Sequence, residues 1–119
     1  MNIRELAEWQ WEGYSNFHGS RLNLVIHIIA VPLFVGANVL LVFAMAQLEW
    51  VRAASFLLVM MLAFAVQGFG HFKETTASIP FKGPADALSR IFLEQWFTFP
   101  RFVATGQWVV AMRDAPKSR

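Results

Sequence analysis

The chain has no cysteine, which excludes disulfides, thiolate metal ligands and dithiol redox chemistry and leaves the compartment unread. Charge is also scarce. Asp, Glu, Lys and Arg supply 15% of the residues, against about 25% in soluble domains. The net charge is only +2 and no basic stripe alternates with aromatics, so nucleic acid is not an expected partner. A basic leader is missing too: Glu5, Glu8 and Glu12 precede the first apolar run, which therefore does not read as a cleaved signal peptide. There are no internal repeats. What the chain has in excess is apolar surface, with 56% hydrophobic residues, twelve Phe and five Trp, where about 45–50% is usual.

Two segments account for that excess. Apart from His27, no residue from Leu22 to Leu48 can carry charge, and none does from Ala53 to Gly70. A membrane-crossing helix needs about 20 mostly apolar residues, so spans are expected over 22–48, kinked or divided near Pro32, and over 53–72. The expected fold is all-α: one membrane-embedded helical domain over 1–119, built on a two-helix transmembrane hairpin. Two Lys or Arg precede the first span, one (Arg52) lies between the spans and seven follow the second. An integral, multi-pass membrane protein is expected, and if the two spans form a hairpin this bias puts both termini in the cytoplasm.

Flanking segments read as amphipathic. Asn2 with Glu5 forms a capping box for a helix over 2–17, with Ile3, Leu6, Ala7, Gln10 and Tyr14 on one side. Gly83-Pro84 with Asp86 starts another helical region over 84–112, in which Leu88, Ile91, Phe92 and Gln95 share a face. The stretch around Pro100 and Arg101 is expected to be interfacial or re-entrant. The tail RDAPKSR is expected to be disordered.

All three histidines sit at the polar ends of the apolar runs. Asn23 and His27 are four apart, as are Gln67 and His71, with Glu74 three further on; such spacings share a helix face. An antiparallel hairpin would set these two faces at one depth. His18 can join them only if the chain bends at Gly19–Ser20, because nine residues of continuous helix would turn it about 180° away from His27. His18, His27, His71 and Glu74 then offer three imidazoles and a carboxylate to a metal. Imidazole suits Zn, Cu, Fe and Ni, and a histidine–carboxylate set with open positions suits oxygen-activating iron(II). Asn23 and Gln67 would orient the rings. Two other readings remain open at this level: a non-catalytic membrane scaffold or assembly protein, whose histidines only cap helices, and haem ligation by a histidine pair.

Three stretches, FHGSRLNLVIHIIAVPL, QGFGHFKE and IPFKGPADALSRIFLEQWFTFPRFVATGQW, resemble the small membrane family of the fungal phytosphingosine-pathway 2-hydroxy fatty acid dioxygenase. Spread over about residues 14–108, they are closest to its short prokaryotic-type members. The H-x4-N-x3-H and Q-x2-GH-x2-E patterns carry most of the specificity. The resemblance implies an Fe(II)-dependent enzyme of fatty acid α-oxidation, converting a 2-hydroxy fatty acid and O2 to an acid one carbon shorter and CO2. It places iron on His18, His27 and His71, with Glu74 as ligand or base; zinc also suits these ligands. Arg90 and Arg101 are the candidate partners of the substrate carboxylate, since guanidinium matches carboxylate bidentately.

Overall fold

Asn2 opens the first helix as its capping box requires: its side chain accepts from the Glu5 backbone N–H at 2.8 Å and donates to the Glu5 carboxylate at 3.1 Å. The computed structural model describes residues 1–117, and every regular element among them is helical. Helix α1 spans Ile3–Gly13 and runs into a short 3-10 helix over Tyr14–Phe17. After a break at 18–20 come the two long helices, α2 over Arg21–Ala46 and α3 over Trp50–Phe72. An irregular segment leads to α4 (Pro84–Leu93), which passes into a π-helical turn over Glu94–Thr98, then α5 (Phe99–Ala104) and α6 (Gln107–Asp114).

Ser20 starts α2 by accepting from the Asn23 N–H. Helix α2 continues through Pro32 without dividing. The proline removes one donor, but the hydrogen-bond ladder on both sides carries the helix on. Its connection to α3 is three residues long, with Leu48 in the left-handed region at φ 58°. The two helices then pack along their length. Ala30, Phe34 and Ala37 of α2 bury against Met60 and Ala63 of α3, and near the other end Gly70 lies against Asn23 so closely that a Cβ would collide with the Asn23 side chain.

Both helices are long and apolar enough to cross a membrane, and only 28% of the most apolar stretch of each is buried inside the protein. Ile29, Leu33, Val42, Phe43, Val51, Leu58, Met61 and Leu62 all stand more than half exposed. A core helix of a soluble protein hides such residues.

The remaining elements close over one end of this pair. Tyr14, Leu24, Val31, Phe99, Phe102 and Ala115 form a second core that joins the N-terminal turn, α2, α5 and the end of the chain. The chain breaks after Phe17, supplying the bend that His18 needs to approach from its own direction. The tail is ordered further than expected: α6 runs through Asp114, Ala115 is buried, and Arg21 donates to the Met112 and Ala115 carbonyls at 3.3 Å. Its last two residues lie outside the described ones.

Candidate metal centre

His18 is the C-terminal cap of the Tyr14–Phe17 turn, His27 sits in the second turn of α2, and His71 is in the last turn of α3. Their rings meet edge to face, with centroids 4.7 Å (18–27), 4.6 Å (18–71) and 5.0 Å (27–71) apart. The carboxylate that joins them is that of Glu94, on the π-helical turn. One nitrogen from each ring and one Glu94 oxygen lie within 4.8 Å of one another. Three imidazoles in mutual contact leave no slab for a porphyrin between any two, so haem ligation loses its support.

The Nδ1 of His18 faces the Tyr14 carbonyl at 2.7 Å and that of His27 faces the Asn23 carbonyl at 3.0 Å. A carbonyl can only accept, so in each ring Nδ1 carries the proton and the neutral ring presents a bare lone pair at Nε2. Both Nε2 atoms are buried without a hydrogen-bond partner, as is His71 Nδ1. They approach Glu94 Oε2 at 3.3 and 3.5 Å. Acceptors facing a carboxylate in a buried place repel one another unless a cation lies between them. Second-sphere carbonyls fixing the tautomer of each imidazole are the usual support of a metal ligand. The donor set therefore fits a metal ion.

Tyr14 supports the group three times over. Its hydroxyl donates to Glu94 Oε2 at 2.7 Å, its carbonyl accepts from His18, and its ring stacks on His18 at 3.8 Å and 13°. Burial and the neighbouring Glu94 push the Tyr14 phenol well above its ordinary pKa, so it stays a donor.

Glu74 is not part of the group, which corrects its expected place as ligand and catalytic base. Helix α3 ends at Phe72, so the helical spacing from His71 to Glu74 no longer applies. Its carboxylate instead accepts from the Gly19 and Ser20 N–H groups, both at 2.9 Å, and from the Asn23 side chain at 2.7 Å. Glu74 thus fixes the break that delivers His18, and Asn23 acts on His27 through its backbone carbonyl. The Gln67 side chain does not hydrogen-bond a histidine among the described residues; it exchanges hydrogen bonds of 2.9 and 2.8 Å with Gln95, both fully buried.

A cavity of about 560 Å³ reaches His18, His71 and Glu94. Phe17, Phe64, Ile79, Phe81 and Ile91 make most of its wall apolar, and Arg90 is the one Lys or Arg that lines it. The Arg90 guanidinium lies against the Trp9 and Phe81 rings and donates to the Ile79 and Pro80 carbonyls and to Asp86. Arg101 is outside the cavity, stacked 4.0 Å from Trp11.

The π-helical turn explains why Glu94 escaped the sequence reading. An α-helical register places Ile91, Phe92 and Gln95 inward and leaves Glu94 beside them; the wider turn brings both Glu94 and Gln95 into the interior. Nothing in the sequence marks such a turn apart from an acid within an otherwise apolar stretch. Comparison with protein families, curated proteins and solved structures finds no match.

Proposed function

We propose that this chain is a membrane-embedded iron(II) dioxygenase that shortens a 2-hydroxy fatty acid by one carbon. One observation carries this reading: three imidazoles and a carboxylate converge, with buried unpartnered ring nitrogens, at an end of a largely apolar cavity. A cavity of this size suits a small-molecule ligand, for which about 300–1,000 Å³ is typical. Its apolar wall suits an alkyl chain, and the exposed flanks of α2 and α3 suit a lipid bilayer as the medium from which such a substrate comes. In this reading α2 and α3 form a transmembrane hairpin whose site end faces the cytoplasm.

Iron(II) held by His18, His27, His71 and Glu94 would supply O2 activation, and the balance is a 2-hydroxy acid plus O2 giving the shortened acid, CO2 and water. The chain's own residues do the rest. Tyr14 keeps the Glu94 carboxylate and the His18 ring in position. Arg90 sets a positive charge on the wall that the acid head group approaches. Phe17, Phe64 and Ile91 hold the alkyl segment and keep bulk water from the group. The same ligands also suit zinc, so metal identity must be read from function as well as from content.

The experiment is anaerobic reconstitution of the purified protein with Fe(II), followed by 2-hydroxyhexadecanoate and air. Expected are about one iron per chain, retained on gel filtration, and formation of pentadecanoate with one CO2 per O2 consumed. His27→Ala and His71→Ala should both lose the iron. Full iron retention by both variants would remove the metal centre, whereas iron without product would remove the substrate and leave the centre standing.

A further inference from the structure

Phe64, Gly68 and His71 follow one another at helical spacing on one face of α3, and all three line the cavity. They mark a line from the metal group along the apolar helix, about 10 Å long at 1.5 Å per residue. Gly68 is the middle of that line. A Cβ built there meets nothing within 4 Å, although Gly68 sits between two large rings on a wall shared with Ile91 and Phe17. Helix packing does not call for a glycine at this position, since the close approach of α2 and α3 falls two residues away at Gly70. Glycine inside a helix costs about 1 kcal/mol relative to alanine; Gly36 also faces open space but away from the cavity, whereas Gly68 lies on the cavity wall between Phe64 and His71.

We infer that Gly68 is the specificity gauge of this cavity: the missing side chain leaves the gap through which the alkyl segment of a single-chain acid passes from the His18–His71–Glu94 group toward Phe64. The inference rests on the reading of the cavity as an acid site, and it names the residue that sets which chains are admitted. Gly68 lines the cavity, so a side chain added there narrows the space for the alkyl segment, and metal affinity reports whether His71, one helical turn away, is disturbed.

The test uses Trp9, which lines the same cavity, as the reporter. The full-length protein in detergent is titrated with 2-hydroxyhexadecanoate carrying bromine on carbon 4, near the head group that approaches Arg90 and hence near Trp9, on which Arg90 packs. The Trp9→Phe variant gives the background quenching of the other tryptophans, and comparison with the parent under the same conditions cancels partitioning into micelles. Filling a packed space with extra methylenes is costly, and Gly68→Leu is expected to raise the half-quenching concentration about tenfold. Gly36→Leu, whose added side chain also meets open space but on α2 away from the cavity, should leave it unchanged. Cobalt(II) binding is measured on the same samples, and Gly68→Leu should keep the parent's affinity for it. Equal half-quenching in Gly68→Leu and parent overturns the gauge while leaving the acid site in place. Joint loss of cobalt and acid binding in Gly68→Leu assigns Gly68 to packing and overturns it too. If the parent shows no quenching specific to Trp9, the acid site itself fails, and the gauge with it.

Discussion

At the scale of single residues, Glu94 and Glu74 divide two tasks that either could have performed. Glu94 faces three imidazoles, whereas Glu74 closes a turn. Glu94→Gln is therefore expected to lower cobalt(II) affinity by about 10–100-fold or more, the range seen when metal-supporting groups are removed, with the fold retained by circular dichroism. Glu74→Ala leaves the Gly19 and Ser20 N–H groups and the Asn23 amide without their acceptor. A buried donor left unsatisfied costs about 1–3 kcal/mol, so this variant should unfold at lower temperature even before metal is added. If Glu74→Ala proved as stable as the parent while losing metal, the two roles would have to be exchanged. Tyr14→Phe keeps the stacking on His18 and removes only the hydroxyl. It should weaken cobalt binding about tenfold, read by titration of the visible cobalt band.

At the scale of elements, the π-helical turn is what separates the legible part of the site from the hidden part. His27 and His71 could be read from sequence because each lies on a long helix with polar neighbours four residues away, Asn23 and Gln67, and the helices are adjacent in the chain. His18 was legible as a condition, since Gly19–Ser20 offered the bend it needs. Glu94 was not, because one extra residue per turn changes which side chains face inward, and composition does not reveal that. Glu74 was misread for a related reason: its spacing assumed a helix that stops at Phe72. Deleting Phe97, which is exposed within the turn, should restore α-helical register, swing Glu94 out of the group and abolish metal binding. Wild-type metal affinity in that deletion would show that Glu94 is not needed. The Gln67–Gln95 pair locks the same turn to α3. Gln67→Leu alone strands the Gln95 amide, and the paired change Gln67→Leu with Gln95→Leu should recover about 1–3 kcal/mol of that loss, measured as a double-mutant cycle.

At the scale of the whole molecule, the long helices leave most of their apolar surface uncovered while the short elements gather at one end. The proposed bilayer arrangement makes a sharp prediction, and the absence of cysteine gives it a clean background. Single cysteines at Gln47, in the α2–α3 connection, and at Thr76, beyond the end of α3, should be labelled by an impermeant maleimide from opposite sides of sealed vesicles. Labelling of both from one side would end the hairpin as a membrane-crossing unit.

The four residues of the metal group come from four different stretches of chain: the break after the N-terminal helix, both long helices and the turn that follows α4. An ion held there would act as a reversible cross-link, clamping together parts that otherwise meet through side-chain packing and a few hydrogen bonds such as Tyr14–Glu94 and Gln67–Gln95. Ligand present at a hundredfold excess over its dissociation constant adds about 2.7 kcal/mol to the folded state. Chelation should thus make the protein melt several degrees earlier and, in a cell, be degraded sooner. The supply of metal would then govern the lifetime of the protein.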